Sequence, residues 1–332
     1  MGIVVAVTQP EYDKAAEKFR KAAVRGFNCL RAPISEARLA AAVRKSGARH
    51  VVLGVERYGG PLYDALEEGG VVARFGVGFD GLDMAKATAR GLLCTNTPGV
   101  LDDSVAEHAI TLILCAAKAL SAHDRAVRGG AWTPQLGVEL RGKRLAVIGC
   151  GAIGCRVARI ASVGLGMRVT GCKVHPCDIK AMKQAYGFEA ITCDFREAVK
   201  DADFVSLHIP SIAETAHFIN AERLAWMRPR AWLINTARGA VVDERALVKA
   251  LHSDALAGAA LDVFEREPYA PAGIGEDLRA LPNVIMTPHV GSSTHEACDR
   301  VADRVFHNLS CATQGDFRNM DLLNPEVLNG AP

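Results

Sequence analysis

Arg144-Leu145-Ala146-Val147-Ile148-Gly149-Cys150-Gly151-Ala152-Ile153-Gly154 is the stretch on which the fold turns. Residues up to Ile148 form an apolar run of strand length, as expected for a strand buried on both faces. Three glycines follow at the spacing G-x-G-x-x-G. They open a helical segment from Ile153 to near Val163, and a second strand-like run, Arg168–Cys172, comes next. Glycine spacing alone is a weak signal. Strand, glycine turn, helix and strand in that order is the context a dinucleotide-binding turn requires. Gly149 permits the tight turn, Gly151 lets the backbone approach a pyrophosphate, and Gly154 lets helix and strand pack closely. Ala152 and Ile153 begin the helix, whose N–H groups without internal partners and whose dipole favour an anion.

The end of the second strand is unusual. An NAD site carries Asp or Glu there, accepting from the ribose 2′-hydroxyl. Here the position is Lys173. A cation cannot accept that bond, but it can meet a 2′-phosphate, which favours NADP(H). The other reading keeps NAD(H), with Lys173 in water and Cys172 or a backbone carbonyl serving the ribose.

Outward from this motif the chain alternates short β-branched runs with helical segments, the pattern of parallel sheets built from βαβ units. The expected strands are Ile3–Val7, Val51–Val55, Val71–Phe75, Arg144–Ile148, Arg168–Cys172, Phe204–Leu207, Trp232–Asn235, Leu256–Leu261 and Val284–Met286. With 332 residues, 49% of them hydrophobic and 23% charged, the chain reads as a globular protein of two domains. A formal charge of +2 without a basic block gives no support for a nucleic-acid partner. The longest apolar stretch in the middle, Ala109–Ala117, falls short of a bilayer span. The first residues lack the marks of a secretory signal, and Ala6 breaks the myristoylation pattern. Ten cysteines without a CxxC pair read as reduced thiols of a cytoplasmic protein. The Cys172–Cys177 segment, with His175, matches no usual zinc spacing, so no metal is expected.

Two helix starts carry capping-box spacing, Ser104 with Glu107 and Ser293 with Glu296. The helix after Ser104 is apolar nearly all round and should be buried, within its own chain or against another subunit.

Three polar residues follow strand ends in the second half: Arg238, Glu267 and His289. Each alone has an ordinary explanation, as a surface arginine, a solvated turn residue and a satisfied turn histidine. Ligands of open α/β sheets bind beyond the carboxyl ends of strands, where the three can converge.

In sum of motifs the chain resembles the D-isomer-specific 2-hydroxyacid dehydrogenase family. The matching stretches are Gly76–Asp83, Thr95–Gly99, Val105–His108, Gly149–Gly154, His208–Pro210, Asn235–Gly239, Asp262–Pro268 and Thr287–Ser293, in the family's order. The resemblance implies an α/β protein of two doubly wound parallel-sheet domains with a cleft between. A flavodoxin-like substrate domain would comprise residues 1–98 plus 291–332, and a Rossmann coenzyme domain residues 99–290. It also implies a homodimer joined through the coenzyme domains, an arrangement that would suit the apolar helix after Ser104. The implied activity is hydride transfer between NAD(P)(H) and a small D-2-hydroxy or 2-oxo acid.

Roles follow from the resemblance and the chemistry. His289 would donate the proton to the substrate carbonyl, and Glu267 would orient the imidazole and favour its charged form. Arg238 would clamp the substrate carboxylate, with the backbone N–H groups of Gly76, Val77 and Gly78 on its other side. Asp262 would accept from the nicotinamide amide. His208, Pro210, Thr236, Ala237 and Ser292 would line the cofactor with His289.

The chain departs from the family pattern at Lys173, and also at Leu53–Gly54, where the phosphoglycerate dehydrogenase branch has an arginine for substrate phosphate. Arg74 and Arg57 are candidates to stand in. The tail after Gly315 is short, so a regulatory C-terminal domain is missing. An unphosphorylated acid such as glyoxylate, hydroxypyruvate or a sugar acid is therefore expected first. The formate dehydrogenase branch carries glutamine where Glu267 stands. The rival from another class is a dinucleotide-sensing, corepressor-like interaction protein with little turnover.

Overall fold

The computed structural model describes residues 2–175 and 179–329. It is an α/β structure with two all-parallel sheets. Contacts divide the chain into two compact units, one made of the residues up to Leu101 and from Ser292 onward, the other of Asp102–Gly291.

The sheet of the first unit contains β1 (Ile3–Thr8), β2 (Phe27–Ala32), β3 (His50–Leu53), β4 (Val71–Arg74) and β5 (Leu93–Thr95), in the order β2-β1-β3-β4-β5. Alternation along β1 sends Val5 and Val7 to one face and Ala6 to the other. The long helix His295–Gln314 covers the first face with Ala302, Val305, Phe306 and Leu309. This burial is why the C-terminal helix belongs to the first unit.

The second unit contains β6 (Arg144–Ile148), β7 (Arg168–Cys172), β8 (Phe188–Thr192), β9 (Phe204–Leu207), β10 (Trp232–Asn235), β11 (Gly258–Leu261) and β12 (Val284–Met286). Their order is β12-β11-β10-β9-β6-β7-β8. Both faces are covered. Leu145, Val147, Phe204 and Ile234 pack under the helix Asp102–Ala117, while Ile148, Val205, Leu207 and Leu233 pack with Leu247 and Leu251 on the other face. Parallel strands so enclosed are apolar on successive residues.

All nine expected strands form, five with the expected ends and four with ends shifted by one or two residues. Three more appear: β2, β5 and β8. All three lie at sheet edges, where one strand side lacks a partner. β2 and β8 are half exposed and so lack a continuous apolar run, and β5 has only three residues.

Both capping expectations need correction. Ser104 lies inside the helix that begins at Asp102, and its hydroxyl donates to the Gly291 carbonyl at 2.8 Å. The acids Asp102 and Asp103 occupy the first turn, where the helix dipole favours them. At the last helix Thr294, not Ser293, is the cap, accepting from the Ala297 N–H at 3.2 Å. No single helix among the described residues is long and apolar enough to cross a membrane. No disulfide joins the nine described cysteines.

Candidate active site

Because every strand of the second sheet runs the same way, the turns after β6, β7, β9, β10, β11 and β12 gather at one sheet end. These turns carry Gly149–Gly151, Lys173, His208, Thr236–Arg238, Asp262 and Thr287–Gly291.

The glycines of the first turn differ in what surrounds them. Gly149 has φ +97°, and its N–H donates to the Cys172 carbonyl at 2.9 Å. A Cβ there would lie 2.7 Å from the His208 carbonyl carbon and 2.9 Å from Ile209 Cγ2. A Cβ on Gly154 would overlap the Gly149 carbonyl oxygen and sit 3.1 Å from Val147 Cγ1. Gly151, which caps the helix Ala152–Arg159, would meet nothing within 4 Å. Two glycines are therefore required by the protein's own packing, whereas the third opens onto space before a helix N-terminus. Such a cradle fits a dinucleotide pyrophosphate.

Lys173 leaves β7 with its N–H donating to the Thr192 carbonyl at 3.1 Å. Cys172 is buried in the core beside Ile148 and Leu207, and burial pushes its thiol up to about 11. Its carbonyl is already taken by Gly149. Pro176 and Cys177, which complete the Cys172–Cys177 segment, lie outside the described residues.

After β9, partly buried His208 places Nε2 2.9 Å from Ser206 Oγ, and burial pushes its imidazole down to about 4. Pro210 beyond it is exposed. After β10, Asn235 shapes the turn: its Oδ1 accepts from the Ala237 N–H at 3.0 Å and its Nδ2 donates to the Arg238 carbonyl at 2.9 Å. Thr236 in that turn is buried, and its hydroxyl has no hydrogen-bond partner among the described residues. The Arg238 guanidinium donates to the Ala237 carbonyl at 2.7 Å. Next to it, Gly239 abuts the Phe264–Glu265 backbone so closely that a side chain would overlap it. The Arg238 turn thus rests on the loop that bears Glu267.

That loop is anchored on both sides. Glu265 accepts from the Glu244 N–H at 2.9 Å, and Glu244 accepts from the Glu265 N–H at 2.7 Å. Glu267 Oε1 accepts from the Phe264 N–H at 3.0 Å, and its Oε2 lies 2.6 Å from His289 Nδ1. His289 holds φ +54°, an uncommon left-handed conformation for a non-glycine residue. Its N–H donates to the Asp262 carbonyl at 2.8 Å.

Asp262 organises the same loop through its carboxylate. Oδ1 accepts from Thr287 Oγ1 at 2.6 Å and from the Val290 N–H at 2.8 Å, and Oδ2 accepts from the Gly291 N–H at 2.8 Å. His108 Nε2 lies 3.3 Å from Oδ1. Burial alone would push this carboxyl up; the hydrogen bonds from His108, Thr287, Val290 and Gly291 outweigh it and hold it below the ordinary value. His108, Thr287 and Asn235 were not singled out as site residues from sequence. Each stands within a matched motif, but its contact is made across the sheet end.

In the first unit, all three carbonyls of the Gly76–Gly78 loop are held: Gly76 by the Thr97 N–H at 3.1 Å, Val77 by Asn96 Nδ2 at 2.7 Å and Gly78 by Arg74 Nε at 2.7 Å. The N–H groups of these residues make no hydrogen bond among the described residues. Arg74 also donates to the Leu53 carbonyl at 3.0 Å. Ser292 begins the C-terminal stretch of this unit and is partly buried.

A model of the D-isomer specific 2-hydroxyacid dehydrogenase NAD-binding domain matches residues 110–291. The glyoxylate reductase of Thermococcus litoralis is 40% identical over 271 residues, 79% of each chain. That of Pyrococcus furiosus is 40% identical over 270 residues, 78% of this chain and 76% of its own. Among solved structures, the NADPH-dependent glyoxylate/hydroxypyruvate reductase of Sinorhizobium meliloti, in complex with NADP and malonate, superposes with a TM-score of 0.78 at 31% identity, covering 94% of this chain and 93% of that one. Apo D-lactate dehydrogenase from Escherichia coli gives a TM-score of 0.80 at 25% identity, covering 94% and 98%. Fold, motif order and relatives agree: the chain belongs to the D-isomer specific 2-hydroxyacid dehydrogenase family.

Proposed function

We propose that this chain reduces a small unphosphorylated 2-oxo acid, glyoxylate or hydroxypyruvate foremost, to the D-2-hydroxy acid with NADPH. The broader class, an NAD(P)-dependent oxidoreductase acting on CH–OH donors, comes with its relatives. The observation that carries the reading is the 2.6 Å contact between His289 Nδ1 and Glu267 Oε2. With Nδ1 committed to a carboxylate, Nε2 is the nitrogen left to hand a proton to the carbonyl oxygen and to take it back in the reverse direction.

The bound nicotinamide supplies or accepts the hydride. The chain's own residues do the rest. Arg238 offers a planar fork to the substrate carboxylate. The N–H groups of Gly76, Val77 and Gly78, left over once their carbonyls are held, suit a carboxylate. Asp262 holds the Thr287–Gly291 loop and hence His289; Oδ2, which accepts from the Gly291 N–H, retains acceptor capacity for the cofactor amide. Gly149, Gly151, Ala152, Ile153 and Gly154 are assigned to the pyrophosphate, and His208, Pro210, Thr236, Ala237 and Ser292 to the rest of the cofactor. Lys173 is assigned to a 2′-phosphate. The buried Cys172 thiol is no candidate for the ribose, which weakens the NAD reading.

The chain is also proposed to form a homodimer through the coenzyme-binding unit. The Asp102–Ala117 helix is largely buried within that unit. The exposed apolar side chains Leu120, Val127, Trp132, Leu136 and Val138 lie just after it, and they are the surface a second copy would cover.

The test is the rate of NADPH and NADH oxidation with a panel of 2-oxo acids, beside a His289→Asn control. Turnover with NADPH preferred supports the whole reading. NADH preference keeps the enzyme and removes the role given to Lys173. Tight cofactor binding without turnover on any acid returns the weight to a dinucleotide-sensing protein.

A further inference from the structure

The next inference rests on the reductase reading and concerns which 2-oxo acids are accepted. In the first unit the strand order reverses between β1 and β3, and ligands of such sheets sit beyond the strand ends at this switch point. The turns after these two strands bring two carboxylates together. Glu11 is buried, 3% exposed, and accepts from the Thr8 hydroxyl, with Lys14 Nζ 3.7 Å from its Oε1. Glu56 Oε2 is buried and has no hydrogen-bond partner among the described residues. A Cβ on Gly54 would lie 2.5 Å from Glu11 Oε1 and 2.7 Å from Glu56 Oε2, so the two carboxylates close over that glycine.

The loop bearing Glu56 packs on the loop that offers the Gly76–Gly78 N–H groups. The Tyr58 N–H donates to the Gly81 carbonyl at 2.9 Å, and the Glu56 carbonyl oxygen would lie 2.5 Å from a Cβ on Gly81. Arg74, buried beside these loops, donates to the Gly78 and Leu53 carbonyls and keeps its positive charge. Arg57 is exposed. Val55 and Phe79, one on each loop, expose apolar side chains and lower the local polarity. An acid whose carboxylate takes the Gly76–Gly78 N–H groups therefore lies beside the loop that carries Glu56, whose Oε2 has no hydrogen-bond partner among the described residues.

We infer that Glu56, backed by Glu11, is a specificity-determining residue that selects substrates by charge. Acids bearing a second anionic group are repelled. Acids ending in hydrogen fit, and those ending in hydroxyl donate to the Glu56 carboxylate.

The experiment compares kcat/KM for glyoxylate, hydroxypyruvate and oxaloacetate in the wild type, Glu56→Gln and Glu56→Asp. The oxaloacetate-to-glyoxylate ratio is expected to rise roughly tenfold in Glu56→Gln, the size of one unit charge acting at short range in a medium between water and protein interior. Glu56→Asp keeps the charge and is expected to keep the discrimination. The wild-type ratio should also rise as ionic strength goes from about 0.01 M to about 0.15 M, and stay flat in Glu56→Gln. A ratio equal in wild type and Glu56→Gln, or a wild type that reduces oxaloacetate as well as glyoxylate, overturns the inference. A wild type that reduces none of the three overturns the reductase reading instead.

Discussion

Exchange of two glycines for alanine separates a ligand's space from the protein's own packing. At Gly151 the added methyl meets no protein atom within 4 Å, and the backbone, at φ −82° and ψ −166°, is open to alanine. Alanine restricts the unfolded chain, a gain of about 0.4–1 kcal/mol, and is a poorer helix cap than glycine. The two nearly cancel, leaving stability within about 0.5 kcal/mol and Tm within about 2 °C. The methyl points where the pyrophosphate is proposed to approach. Loss of one charge-assisted N–H bond there removes about 1.5–3 kcal/mol, or roughly 10- to 100-fold in cofactor affinity. At Gly154 the methyl would overlap the Gly149 carbonyl oxygen, backbone that cannot swing aside, with Val147 Cγ1 3.1 Å away. Such overpacking costs about 1–3 kcal/mol or more, a fall in Tm of about 2–12 °C. Calorimetric unfolding gives Tm and titration calorimetry with NADPH gives Kd for each variant. Gly151→Ala with wild-type affinity would refute the assignment of that space to the cofactor. Gly154→Ala with wild-type Tm would refute the packing argument.

Three further expectations follow from the geometry. His289→Asn is expected to lose about 10²–10⁴ in kcat with the fold intact, as for other general acids; near wild-type turnover with an unchanged circular dichroism spectrum would remove His289 from the chemistry. Arg238→Lys is expected to raise KM for the 2-oxo acid more than Kd for the cofactor, because an ammonium cannot form the paired fork; equal damage to both would count against the clamp. His50 is buried at the start of β3 and accepts the Val71 N–H through Nδ1 at 3.0 Å, and burial pushes its imidazole down from 6.5 to about 4. The unfolded chain therefore takes up a proton that the folded one refuses, and stability is lost as the pH falls from 6.5 towards 4, by at most about 3 kcal/mol. His50→Gln should flatten that part of the Tm-against-pH curve, and superimposable curves would show that His50 does not contribute.

Much of the fold was legible because buried parallel strands write themselves as continuous apolar runs. Arg144–Ile148, Arg168–Cys172, Phe204–Leu207 and Trp232–Asn235 form as read, since both faces of each are covered. β2 and β8 escaped notice for the converse reason: an edge strand half in water has no such run. Helix starts were misplaced because a capping pattern is two or three polar residues long and competes with acids in the first turn. At Ser104 the hydroxyl found a carbonyl 187 residues away, which no local pattern reveals.

The sequence by itself determined the architecture and the family, and it singled out Arg238, Glu267 and His289 as candidates, because spacing, strand ends and residue chemistry are local properties. Only the tertiary structure decided what those residues touch. It joined Glu267 to His289 at 2.6 Å, gathered His108, Thr287, Val290 and Gly291 on Asp262, and committed Arg74 to the Gly78 and Leu53 carbonyls. It also separated Gly151, which faces open space, from Gly149 and Gly154, which do not. Those facts depend on distances between turns far apart in the chain, set by which strands lie side by side in each sheet.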